Sequence, residues 1–270
     1  MKRIVIRILE VGLALVLLVG LAMMARTWME EKDEQTAQEE AAELANLPTQ
    51  LQKYRQESLA QSEPDPNLVL LAQMDLSSLQ AENPDVIGWI CIPDTELSYP
   101  LVQGTDNAFY LNHTWQQRRN SAGAIFMEQS GSADFSDYHT IVYGHRMNND
   151  SMFGTLKYYD SLDFWQEHPS VYVVTEDSAR RYDIFSAQEA GIRDLLYRLD
   201  IEEKHLEEEL IQYCADGSVI DTGLVPEAGD PILTLSTCTR RGRTTRWVVH
   251  GVLGQSYEIA RSGSAEQTAP

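Results

Sequence analysis

Residues 235–251 read LSTCTRRGRTTRWVVHG. An apolar run from Ile232 ends at Cys238, four arginines follow (Arg240, Arg241, Arg243, Arg246), and a second apolar run begins at Trp247. This is the pattern of two strands joined by a polar turn, TRRGRTT. Side chains alternate along a strand, so Ser236 and Cys238 share one face, and Arg246, Val248 and His250 share another. At ~3.3 Å per residue, Arg246 and His250 are ~13 Å apart. If Arg246 lies beside Cys238, His250 is too far down the ladder to be its partner. A thiol becomes a nucleophile when positive charge stands near it or a base takes its proton. A chain of formal net charge −20 nevertheless places four arginines beside this one thiol.

Working outward, further β-like runs are Val86–Pro93, Leu97–Val102, Gly123–Met127, Thr140–Tyr143, Val171–Thr175 and Tyr182–Gln188, with Ile232–Cys238 and Trp247–Leu253 at the end. Turn residues separate most of them. Many short strands with few long helices predict a mainly β fold, a closed antiparallel barrel. One helical pattern interrupts the late strands: Asp194–Cys214, with Leu199, Leu206, Leu210 and Tyr213 in helical spacing. A second, Leu68–Gln80, follows Pro64-Asp65-Pro66-Asn67, with Asn67 as its expected cap.

The N-terminus carries Lys2, Arg3 and Arg7, then an almost purely apolar run from Ile8 to Ala25, then Glu30, Glu31, Asp33 and Glu34. That run approaches the ~20 residues needed to cross a bilayer and exceeds a signal-peptide core of roughly 7–15. Basic before and acidic after predicts the N-terminus inside and the rest outside. The expected organisation is a cytoplasmic N-terminus (1–7), a transmembrane anchor (8–27), an acidic helical or disordered stalk (28–66), a catalytic domain (67–256) and a disordered tail (257–270).

The acidic balance argues against nucleic acid, whose phosphates need a basic surface. Three cysteines, Cys91, Cys214 and Cys238, stand at wide spacings with no CxxC pair, so neither a zinc site nor thioredoxin-like chemistry is expected. Cys91, inside an apolar strand, and Cys214, on a helix stripe, read as buried small hydrophobes. Cys238, at a strand end, reads as the thiol presented for chemistry. A base is delivered in the same way: Thr140–Tyr143 runs into Gly144 and then His145, at the start of a polar loop. His113, His139, His168 and His205 carry weaker patterns and read as solvated or hydrogen-bonded. Arg246, the arginine whose direction regular structure fixes, suits stabilisation of a developing oxyanion. Ser236 on the face of Cys238, its neighbour Thr237, and Asn112 beside His113 are the candidates for substrate contact.

Together, Leu-Ser-Thr-Cys ending one strand, an arginine opening the next, and Tyr-Gly-His upstream resemble the sortases, cysteine transpeptidases of Gram-positive bacteria. The segment IGWICIPDTELSYPLVQGTDNAFYLNH followed by GAIFM, and the long helix before the cysteine strand, are similar to class B. The resemblance covers roughly residues 67–256. It implies an eight-stranded sortase-type barrel with N-terminal helices, one long helix inserted before the cysteine strand, and a site formed by Cys238, His145 and Arg246. It implies no metal and no cofactor. The implied partners are surface proteins with a C-terminal sorting signal (NPxTN- or LPxTG-like), cut after threonine through a thioacyl enzyme, and an amine of peptidoglycan that resolves it. Pilin polymerisation, plain hydrolysis by a surface cysteine peptidase, and a non-catalytic binding module are the competing readings.

The arginine-rich turn departs from the commoner family pattern and makes the mouth of the site basic. Replacing Arg240, Arg241 and Arg243 together with Ser is expected to weaken capture of substrate while Cys238 alkylation continues unchanged. Steady-state kinetics on a signal peptide and a thiol-labelling time course measure the two separately, and unchanged turnover would reject a role for the turn.

Overall fold

The computed structural model describes residues 2–48, 51, 65–199, 201, 203–239 and 242–259; at 2–6, 8, 238, 239, 242 and 243 it describes the backbone alone. Eight strands form the barrel: β1 Val86–Cys91, β2 Ser98–Val102, β3 Ile125–Met127, β4 His139–Tyr143, β5 Ser170–Thr175, β6 Ser178–Gly191, β7 Ile232–Thr239 and β8 Gly242–Glu258. Every expected strand is present, and the barrel closes in the order β1-β2-β3-β4-β7-β8-β6-β5. The expectation of a wholly antiparallel barrel is corrected: β2 pairs with β3, and β4 with β7, in parallel. Alternation along a strand cannot distinguish the two cases, because a parallel partner is chosen by long connections rather than by the pleat.

The interior follows from that alternation. Val142 of β4, Leu233 and Leu235 of β7 and Val249 of β8 all point into one cluster with Ile90, Leu101 and Tyr182. The intervening residues face outward and meet two helical covers. One cover is the helix α5, Lys204–Gly217, inserted between β6 and β7. Its Leu210, Ile211 and Cys214 pack with Val248 and Val252 of β8; burying a leucine this fully is worth roughly 1.5–3 kcal/mol. The expected helix from Asp194 is therefore shorter. Only a 3-10 turn, Leu195–Tyr197, precedes it, and Leu199, counted in the stripe, is exposed.

The other cover is N-terminal. Helix α1 runs unbroken over Lys2–Leu44, across the expected boundary between anchor and stalk. Its Ala37 and Ala41, with Ala45 just beyond its end, are buried with Trp89, Tyr110 and Trp115, so this part of the acidic segment docks on the barrel rather than standing free. Gln38 donates to the carbonyl of Ser98, and Trp115 Nε1 donates to the carbonyl of Ala37. The remainder of that segment, 52–64, lies outside the described residues. The single helix expected over Leu68–Gln80 is two, α2 Pro66–Leu71 and α3 Leu76–Glu82, each capped by an aspartate. Asp65, not Asn67, caps α2, and it also accepts from Tyr172 and pairs with Arg181, tying the helix to β5 and β6. Proline at the first helical position moves the cap two residues upstream, from Asn67 to Asp65. At the C-terminus β8 continues to Glu258, past the expected start of the tail; residues 260–270 lie outside the described residues.

Across the outer face of β4, β7 and β8 runs a buried polar row. Thr234 Oγ1 lies 2.8 Å from His139 Nε2 and 2.9 Å from His250 Nδ1. Burial holds His139 neutral down to about 4, and burial together with His139 holds His250 neutral down to about 3, against an ordinary 6.5. His139 is the first residue of β4 rather than a neighbour of it. Below pH 6.5 an unfolded chain takes up protons at both sites and the folded chain does not, so acid costs stability there. Glu34 of α1 acts in the opposite sense, since burial raises its carboxyl to about 7. Two protons taken up by the unfolded state against one by the folded state predict that stability falls from about pH 6 to 5 with a net slope of about one proton. Glu34→Gln steepens the slope to about two. Urea melts across that window test both statements; stability that rises on acidification would contradict them.

Candidate active site

The parallel pairing of β4 with β7 places the C-terminal ends of both strands at the same rim of the barrel, with Tyr143 opposite Ser236. The ladder continues one step, Gly144 N donating to Ser236 O at 3.3 Å. His145 follows two residues after the last β4 pair, as Cys238 follows two residues after Ser236, so β4 delivers the histidine to the rim where β7 presents the cysteine. On the other side of β7 the antiparallel strand β8 places Arg246 directly opposite Cys238, on a neighbouring strand ~4.8 Å away. His250 pairs with Thr234, further down the ladder, as the spacing predicted.

Local chemistry explains the Tyr-Gly-His sequence. A Cβ at Gly144 would stand 2.5 Å from Ile125 Cδ1 and 2.7 Å from the Phe153 ring, so only glycine lets β4 leave the barrel here. His145 then turns outward, half-buried, and its Nε2 lies 2.7 Å from the carbonyl oxygen of Leu111. A carbonyl only accepts, so Nε2 carries the hydrogen and the tautomer is fixed. Leu111 belongs to a loop braced by His113, whose ring stacks on Phe109 at 4.0 Å and bonds the Phe109 carbonyl through Nδ1. His113 is thus a structural histidine of the wall behind His145. Arg246 Nη1 donates to the Thr245 carbonyl at 3.0 Å. Its charge also opposes the effect of burial and Glu128, which hold the Tyr143 phenol well above its ordinary range. Tyr143 donates to Glu128 at 2.9 Å, the buried carboxylate of the neighbouring strand end.

The other cysteines are sealed. Cys91 and Cys214 are free and buried. Burial pushes the Cys91 thiol up to about 12 and the Cys214 thiol higher still, so neither supplies thiolate. Among the described residues no cluster of ligands suits a metal ion.

The substrate-contact candidates divide. Ser236 lies on the outer face with position 238, and its Oγ is 2.8 Å from the Tyr197 hydroxyl, beneath the 3-10 turn that precedes α5. Asn112 is exposed, next to the carbonyl that holds His145. Thr237 is a correction. It is 2% exposed on the face of Leu233 and Leu235, and among the described residues its Oγ1 has no hydrogen-bond partner. Alternation required this, since a residue next to Cys238 faces the barrel interior. Arg240 and Arg241 lie outside the described residues. Sequence reasoning missed Tyr197, the Leu111 carbonyl and the Tyr143–Glu128 pair. Each acts across a long loop and carries no local signature.

A family model for the sortase domain matches residues 90–254. A curated sortase B from Listeria monocytogenes is 34% identical over 164 residues, 61% of this chain and 67% of that protein. Sortase B of Staphylococcus aureus is 30% identical over 161 residues, 60% and 66% of the two chains. Among solved structures, a Staphylococcus aureus sortase B–substrate complex matches with a TM-score of 0.69 at 26% identity, over 86% of this chain and all 100% of that one. Listeria monocytogenes sortase B matches with a TM-score of 0.60 at 33% identity, over 66% and 100% of the two chains. With the barrel closed in the same way and the cysteine strand in this register, the chain belongs to the sortase family of transpeptidases, class B.

Proposed function

We propose that the chain is a membrane-anchored cysteine transpeptidase that joins surface proteins to peptidoglycan. The observation that supports this reading is the pairing of Arg246 with Cys238 across β7 and β8, with the parallel strand β4 ending at the same rim just before His145. The thiolate of Cys238 attacks the carbonyl carbon after threonine in a C-terminal sorting signal. Negative charge develops on the carbonyl oxygen, and the Arg246 guanidinium donates to it. The carbon–nitrogen bond then breaks, and the leaving amine takes its proton from His145. A thioacyl enzyme remains. An amine of peptidoglycan, deprotonated by His145, attacks the thioester and expels the Cys238 thiolate.

The N-terminal helix supports the anchored reading. It is the one helix among the described residues long and apolar enough to cross a membrane, with a mean hydropathy of 2.0 over its best window and none of that window buried against the protein. Lys2, Arg3 and Arg7 before the span favour a cytoplasmic N-terminus with the barrel outside.

The test is to incubate the chain with NPxTN- and LPxTG-like peptides and read the thioacyl adduct on Cys238 by mass spectrometry, with and without an amine acceptor. One peptide class is expected to give an adduct of the mass cut after threonine, and the amine is expected to convert it to a ligated product. Cys238→Ala abolishes the adduct. His145→Ala lowers turnover by about 10²–10⁴-fold and Arg246→Lys by about 10²–10³-fold. Release of free acid alone, with the amine ignored, would make the protein a hydrolase instead. Full biological activity in Cys238→Ala would leave only a binding role.

A further inference from the structure

His145 stands at the neck of the loop 145–153, and that neck is closed by backbone contacts: Phe153 N donates to His145 O at 2.9 Å, and Arg146 bridges Met152. Met152 and Asp150 have φ of +52° and +67°, a left-handed conformation that side-chain-bearing residues hold only when their surroundings enforce it. A third tie supplies that enforcement from outside the loop. The amide of Met152 donates at 2.9 Å to the hydroxyl of Tyr99, which is buried on β2.

Tyr99 in turn meets helix α1. Glu34 lies beyond the apolar segment, is 3% exposed, and lines one small cavity together with Gln38, Tyr99, Gly123 and Met152. Its Oε1 is buried without a hydrogen-bond partner among the described residues, and the Tyr99 hydroxyl faces the carboxyl and favours its ionised form. A buried carboxylate is expensive to keep without a partner. Glu34 lines the same cavity as Tyr99, whose hydroxyl accepts from the Met152 amide.

We propose that Tyr99, polarised by Glu34 of α1, is a positioning residue for His145: it fixes the turn at Met152 and thereby the neck from which the imidazole projects. This rests on the functional reading above. Neither residue touches substrate. Glu34 and Tyr99 line one cavity, and an ionised carboxylate there draws the hydroxyl proton toward it, which makes the phenol oxygen the better acceptor for the Met152 amide. The groups facing Glu34 are Glu31 on its own helix, Glu96 in the β1–β2 turn and Tyr99 on β2; burial is the largest influence on its carboxyl, and both glutamates add to it. The relay is therefore strongest above neutrality and weakens as Glu34 takes up its proton.

The experiment compares the full chain with Tyr99→Phe, Glu34→Gln and the double variant. Turnover of the signal peptide is measured from about pH 5.5 to 8.5, alongside hydrogen exchange of residues 145–154. Tyr99→Phe is expected to lower kcat about five- to tenfold with KM little changed, and to speed exchange at Met152 and Phe153. Glu34→Gln is expected to lower kcat above pH 7 and to match the unaltered chain near pH 5.5, where both carry a neutral group. In the Tyr99→Phe background Glu34→Gln adds nothing. A merely structural role would give a ratio that does not vary with pH and effects that add. That result, or loosened exchange with kcat intact, overturns the proposal. An unaltered chain that forms no thioacyl adduct overturns the functional reading and this one with it. An unaltered chain that reacts and is matched by both variants overturns this one alone.

Discussion

The parallel hydrogen bonding of β4 to β7 is the constraint on which the site depends. Two antiparallel neighbours would send their C-terminal ends to opposite rims, and a histidine following one would never meet a cysteine ending the other. A parallel pair brings both to the same rim, at the cost of a long connection. Here that connection holds β5, β6 and α5. The arginine then follows without further design, since a strand hairpinned onto β7 must begin where β7 ends. The same length of connection supplies the cover over β7 and β8, where Leu210, Ile211 and Cys214 bury the outer sheet face and the Tyr197 hydroxyl reaches Ser236.

Polar groups within this frame follow two regimes. Where the sheet is covered, charge is suppressed: His139 and His250 are neutral and share Thr234, and the thiols of Cys91 and Cys214 keep their protons. Where β4 and β7 end at the rim, His145 is half-buried, with one ring nitrogen fixed by a backbone carbonyl. The histidines of β4 thus meet different surroundings, His139 sealed at its start and His145 half-buried just past its end. Gly144 marks the change, because the close approach of Ile125 and Phe153 lets the chain turn out only where no side chain intervenes.

Much of this was legible from residues alone. All eight strands announced themselves by apolar runs bounded by turn residues, and alternation put Arg246 and His250 on one face, so that the observed pairing of Arg246 with Cys238 leaves His250 out of reach. Helix boundaries were less legible. Asn67 and Asp65 both have capping side chains, and only the geometry of Pro66 decides between them. Leu199 fits a helical stripe by spacing, but the chain there is a 3-10 turn followed by an extended stretch. Parallel partners, the Leu111 carbonyl and the docking of α1 were not legible, because each depends on contacts between distant segments that no local pattern encodes. Thr237 could have been excluded by the alternation that placed Cys238.

The continuity of α1 has a mechanical consequence for how the barrel is joined to the apolar end of the chain. A leash of disordered chain would let its cargo swing through a wide volume, whereas an unbroken helix behaves as a strut. The barrel grips that strut from Glu30 onward, through Asn120 and Ser121, only a few residues past the apolar stretch. From Ala25, the end of the apolar stretch, to Glu30 the helix rises only about 7.5 Å at 1.5 Å per residue. Such a geometry leaves the barrel little freedom to swing relative to the apolar end of its own helix.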